Sequence, residues 1–177
     1  ITPEMYFQII NYKTAKLFSA ASEIGAIISD SSTENAEILR DFGSYLGIAF
    51  QLSDDALDYT STIDNIGKEI GDDFFEGKVT YPIIVSYKKS NKEEKKLWER
   101  LISKKNKNAN DFKSAIELID KNKGFEKTIA EAEKYGEKAL NCLKNFEDSE
   151  MKSALIEAVH FSYTCLLYTS PSPRDGS

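Results

Sequence analysis

Apolar residues recur at three- and four-residue spacing along most of the chain, the period of helices that bury one face. Thr2 followed by Pro3 pairs a capping hydroxyl with a proline suited to a first helical position. This predicts a helix running to about Ile28 through "TAKLFSAASEIGAII". Ser31 and Glu34 have capping-box spacing and open the next helix. That helix carries Ile38, Phe42, Leu46, Ala49, Leu52 and Ala56 at helical period. Gly43 and Gly47 lie on the line that leads to Gln51, where small residues would let a neighbouring helix or a ligand come close. Between about 60 and 80 the period breaks into a glycine- and charge-rich stretch, a structured loop by composition. A short apolar helix follows near 82–90, then helices near 92–104, 110–122, 125–146 and 149–163, with lysines and glutamates on their outer faces. The stretch "SKKNKNAND" reads as a surface loop, and most tyrosines and phenylalanines read as core. No run has the alternation of a strand and no internal repeat is visible, so the expected fold class is all-α.

One segment interrupts the apolar face. "FQLSDDALDY" ends the second helix with Asp54, Asp55 and Asp58. Residues three and four apart share a helix face, so Gln51 and these aspartates form one patch. Carboxylates in an apolar setting are costly unless paired or bound to metal.

Composition narrows the partners. The chain has 177 residues, 41% hydrophobic and 29% charged, with a formal net charge of -6, which argues against a general nucleic-acid grip. No apolar run approaches the roughly 18 residues of a membrane span. The two cysteines, Cys142 and Cys165, make neither a metal spacing nor a disulfide framework, and a cytoplasmic setting is the default. The chain starts at Ile1 inside a helix start without the basic region of a secretory signal, and is expected to be part of something longer. The end differs in kind. "CLLYTSPSPRD", from Cys165 to Asp175, matches one reading frame of a transposase mosaic-end sequencing adapter residue for residue. Residues 165–177 are therefore expected to be a non-native tail, and Cys165 carries no functional argument.

The aspartate patch invites a hard cation. Magnesium takes oxygen ligands and commonly binds through one or two carboxylates plus substrate phosphates. Lys68 and Lys78, each next to a glycine, could reach back as phosphate-binding point charges, and Lys13 and Thr14 offer further donors. A lone DDxxD is most often solvated surface charge, and lone lysines usually are surface lysines. Here the motif ends a long apolar helix and a Gly/Lys loop follows at once, a combination that surface charge does not require.

"GIAFQLSDDALDY" followed by "GKEIGDDFFEGKVTYPII" resembles the second aspartate-rich region of the trans-isoprenyl diphosphate synthases. "YKTAKLFSAASEIGAII" resembles their lysine-threonine helix, and "YGEKALNCLKNF" and "MKSALIEAVHF" resemble their last two helices. The wording is nearest the bacterial octaprenyl and decaprenyl branch of quinone biosynthesis. The resemblance covers residues 1–164 and implies the C-terminal half of the isoprenoid synthase helical fold. It implies Mg2+ held mainly by Asp54, with Asp58 assisting and Asp55 linked through water or behind the ligands. It implies an allylic diphosphate contacted by Lys13, Thr14 and Lys68, and Phe50 and Gln51 near isopentenyl diphosphate. Lys78 is a looser assignment, and Asp72 and Asp73 would order the loop. The activity implied is prenyl transfer to a linear all-trans polyprenyl diphosphate by a homodimeric full-length enzyme. The family's first aspartate motif and its isopentenyl diphosphate grip have no counterpart in this sequence, so the segment alone is expected to be inactive. Two alternatives remain: a class I terpene cyclase, whose second motif usually mixes Asn/Asp, Ser/Thr and Glu, and a non-catalytic regulatory subunit, which often loses motif aspartates.

Overall fold

The structure is a computed structural model that describes residues 1–60 and 70–164. Lys68 and the 165–177 tail lie outside the described residues. Nine α-helices and one π-turn follow in order among the described residues, with no strand. They are α1 (Pro3–Ile10), the π-turn (Asn11–Ala15), α2 (Lys16–Ile28), α3 (Thr33–Thr60), α4 (Asp72–Phe75), α5 (Tyr81–Lys89), α6 (Lys92–Ser103), α7 (Ala109–Lys121), α8 (Gly124–Cys142) and α9 (Glu150–Thr164).

The predicted starts follow from local chemistry. Thr2 Oγ1 accepts from the Met5 N–H, and Pro3 takes the first helical position where its missing N–H costs nothing. Asn91 with Glu94, and Asn108 with Asp111, close reciprocal capping boxes that start α6 and α7. Two expectations need correction. The cap of α3 is Ser32, whose Oγ accepts from the Asn35 N–H, while Ser31 Oγ takes the Asn35 side-chain amide instead. The helix predicted from Pro3 to Ile28 is broken at Asn11–Ala15, where the Lys16 N–H reaches the Asn11 carbonyl five residues back. Such a turn adds one residue to the helical ladder and changes the direction in which its side chains project. It coincides with the lysine-threonine pair.

Helix α3 organises the interior. Phe42 joins Ala139, Leu143 and Val159 in one core cluster. Ile48 and Leu52 join Tyr6, Ile10, Ala15 and Ile84 in a second. Tyr59 joins Phe74, Ile83, Trp98, Leu101 and Ile119 in a third. One 28-residue helix thus threads three clusters, with α2 and α8 packed along it. The glycine line expected to permit close approach does so: a Cβ on Gly47 would stand 2.7 Å from Ala15 Cα, and one on Gly43 would overlap the Phe18 carbonyl. The approach is of a neighbouring helix, and it brings the π-turn against the middle of α3.

Candidate active site

The C-terminal half of α3 and the π-turn build the site together. Thr14 Oγ1 donates to Gln51 Oε1 at 2.6 Å, across 37 residues. With its oxygen committed to Thr14, the Gln51 amide faces its nitrogen to the carboxylates. Nε2 donates to Asp55 Oδ1 at 2.9 Å and to Asp54 Oδ2 at 3.3 Å. Ionised carboxylates only accept, so this is the amide orientation that satisfies all three partners.

The three aspartates have different surroundings. Asp54 is half-buried, one helical turn from Asp58. Asp55 points inward and is 3% exposed. Its Oδ2 accepts from the Tyr6 hydroxyl at 2.6 Å, and the Tyr81 backbone N–H at the first turn of α5 lies near enough to favour its charged form. Thr80 contributes no side-chain cap to α5, and the Asp55 carboxylate lies near that helix start, where the first N–H groups favour a negative charge. Burial pushes Asp55 up to about 6, opposed by the Tyr6 and Gln51 hydrogen bonds. Burial and the adjacent Asp55 charge push the Tyr6 phenol up, which keeps it a donor at neutral pH.

Asp58 belongs to both the patch and the loop. Its Oδ2 accepts from the Asp73 N–H at 3.2 Å, and its carbonyl accepts from the Gly71 N–H at 2.9 Å. Gly71 has a φ of 85° and abuts the Phe112 ring, a position for glycine on both counts. Lys78 Nζ lies 2.7 Å from both Asp73 and Glu76, and these carboxylates hold its ammonium well above the usual lysine range. Lys78 therefore braces the loop that returns from α4. Lys13 is exposed on the π-turn, and Phe50 is exposed beside Phe18, ring centroids 5.7 Å apart.

Of the residues singled out from the sequence, Thr14, Gln51, Asp54 and Asp55 are directly linked. Asp58 is tied to the loop, and Lys13 and Phe50 flank the patch. Tyr6 and Tyr81 were not singled out. Tyr6 lies 49 residues from its partner and shows no motif, so its pattern reads only as an aromatic core position.

The donor set fits magnesium. Among the described residues, no three His, Cys, Asp or Glu side chains are grouped to hold a metal by themselves. With Asp55 turned inward, Asp54 and Asp58 offer hard carboxylate oxygens, the number magnesium uses when phosphates and waters complete its shell. Among the described residues no helix is long and apolar enough to cross a membrane.

Comparison with known proteins gives a consistent answer. Residues 1–119 match the Polyprenyl synthetase family model. The octaprenyl diphosphate synthase of Escherichia coli is 34% identical over 162 residues, 92% of this chain and 50% of that protein. The all-trans-nonaprenyl-diphosphate synthase of Rhodobacter capsulatus is 36% identical over 155 residues, 88% of this chain and 47% of that protein. A Caulobacter crescentus polyprenyl synthase, solved with calcium and isoprenyl diphosphate, superposes with a TM-score of 0.88 at 40% identity, over 93% of this chain and 50% of that one. The chain thus spans about half the length of the curated relatives it matches. Its helices form part of the all-helical isoprenoid synthase fold, and the chain belongs to the polyprenyl synthetase family.

Proposed function

We propose that these residues form the C-terminal half of a trans-polyprenyl diphosphate synthase that condenses isopentenyl diphosphate with an allylic diphosphate. The observation that carries this reading is the Thr14–Gln51–Asp54 link, which sets the lysine-threonine turn against the aspartate face. The turn that carries Lys13 and Thr14 is thereby tied to the carboxylate face, and a diphosphate bound there would draw the Thr14 hydroxyl from Gln51. The names of the octaprenyl and nonaprenyl relatives support a long polyprenyl product, and the use of that product as a quinone side chain is part of the proposal. The cytoplasmic placement, the homodimer and the non-native origin of residues 165–177 belong to the same proposal.

Mg2+, when bound, would neutralise charge on the leaving diphosphate. Asp54 and Asp58 would hold it, with Asp55 as an internal anchor. Lys13 and Thr14, with Lys68 by the resemblance, would bind the allylic diphosphate and stabilise charge as its C–O bond breaks and the electron pair leaves with the diphosphate. Phe50 and Gln51 would border the position where the isopentenyl double bond supplies electrons for the new C–C bond. A proton is then lost to the released diphosphate, as the resemblance implies. His160 is not placed to take that proton, since it sits on α9 with Nδ1 2.7 Å from the Tyr163 hydroxyl.

The test is to supply the full-length protein with magnesium, farnesyl diphosphate and labelled isopentenyl diphosphate. A linear all-trans polyprenyl diphosphate is expected. A cyclic hydrocarbon would instead establish a terpene cyclase. Turnover that appears only with a second, active subunit would establish a regulatory chain.

A further inference from the structure

Tyr6 lies on α1, away from every motif, yet its hydroxyl reaches the middle aspartate of the patch at 2.6 Å. Its ring is fixed independently of that bond, 5.5 Å from Phe7 and 5.3 Å from Tyr81 between centroids, and is 4% exposed. The hydroxyl is therefore delivered by a packed aromatic cluster. Downstream, one amide nitrogen is shared between two carboxylates: Gln51 Nε2 is 2.9 Å from Asp55 and 3.3 Å from Asp54. Every donor that Asp55 receives from elsewhere reduces its demand on that amide. Removing the Tyr6 hydroxyl would leave a buried carboxylate short of one donor, which draws Gln51 toward Asp55 and away from Asp54 and Thr14.

We propose that Tyr6 is a positioning residue for the metal-diphosphate site, acting through Asp55 and Gln51 to set the orientation of Asp54 and Thr14. This rests on the function proposed above. The partners that orient metal ligands from behind typically affect metal affinity strongly, by roughly 10- to 100-fold when lost. Tyr6 would be such a partner at one remove, supplied by a helix that contributes no metal ligand.

The experiment measures binding of Mn2+ in the presence of inorganic diphosphate, from the free Mn2+ signal in electron paramagnetic resonance, using the full-length protein. Tyr6→Phe keeps the ring packing and removes one hydroxyl. It is expected to weaken Mn2+ binding about tenfold or more, measured well below its thermal midpoint. In an Asp55→Ala background, where the hydroxyl has no acceptor, adding Tyr6→Phe should change the affinity by less than about twofold, since coupled sites are non-additive. A lower thermal midpoint with unchanged Mn2+ affinity in Tyr6→Phe would overturn the proposal and leave Tyr6 a structural residue. So would a full, additive effect in the Asp55→Ala background. Asp54→Ala separates the two readings. If it loses Mn2+ binding while Tyr6→Phe does not, only the positioning role falls. If the unaltered protein binds no Mn2+ with diphosphate, the function proposed above falls with it.

Discussion

Gly47 on α3 meets Ala15 at the end of the π-turn so closely that a Cβ on the glycine would lie 2.7 Å from Ala15 Cα and 3.2 Å from Ala15 Cβ. The obstacle is backbone, which cannot step aside as a flexible side chain would. Ala15 follows Thr14, and Thr14 is the residue that binds Gln51 one turn further along α3. The contact therefore sets the distance between the two halves of the site. Gly47→Ala is expected to cost about 1–3 kcal/mol as an overpacking change, net of the small propensity gain of alanine in a helix. A thermal melt checks the stability, and in the full-length protein the KM for the allylic diphosphate should rise because Thr14 is displaced. An unchanged melt and KM would mean that the helices part without consequence.

Asp54→Ala in the full-length protein should cut turnover strongly and leave the helix content intact. Asp54 is half-buried beside Gln51 rather than in the core, so its removal opens no large cavity. A lost metal contact is worth several kcal/mol of leaving-group stabilisation. Steady-state rates at saturating magnesium together with far-ultraviolet circular dichroism make the comparison, and wild-type turnover would remove the metal role.

The start of α7 gives a pH-dependent prediction away from the site. Asp111 accepts from Lys104 and from the Asn108 N–H, and both hold its carboxyl below the usual range, the lysine contact most strongly. A folded-state pKa below the unfolded one means that the stabilisation is present above the unfolded pKa and is lost as pH falls through the folded one. Asp111→Asn should therefore lower the thermal midpoint at neutral pH, and the difference from wild type should shrink as the medium is acidified. A difference that persists unchanged at low pH would assign the effect to something other than the charge.

Residues 1–177 by themselves should make no polyprenyl diphosphate. The relatives are about twice as long, and the resemblance implies that charge stabilisation from the opposite side of the diphosphate comes from outside this segment. Each missing preorganised contact typically costs about 2.7–4 kcal/mol in the transition state. The apolar side chains of Met5, Ile9, Tyr12, Leu17 and Ile24, exposed along α1, the π-turn and α2, should also favour self-association. Sizing chromatography and a radiolabel assay test both points. Labelled longer product, with an Asp54→Ala control excluding a host enzyme, would overturn the half-domain reading.

The order of the longer helices was legible from the residues alone because most are specified locally, whereas α4 fell inside the stretch read as a loop. Thr2 with Pro3, Asn91 with Glu94 and Asn108 with Asp111 satisfy the first N–H groups of their own helices, and the apolar period declares which face is buried. The aspartate patch was legible for a similar reason, since residues three and four apart must share a helix face, whereas the place of the lysine-threonine pair beside it came from the resemblance. The tertiary structure decided what those residues do to one another. The repeat alone does not say how deeply each aspartate is buried, and Asp55 is the one withdrawn, because α1 and α5 bring Tyr6 and Tyr81 to its side. Lys78 reads as a phosphate donor, yet the turn after α4 places Asp73 and Glu76 around it first. The π-turn carries no proline or glycine to announce it, and it lies where Gly47 lets α3 press against Ala15. Periodicity assigns a side chain to a face, but the energy of a buried carboxylate or ammonium depends on donors and acceptors supplied by distant segments. Only packing brings those segments together.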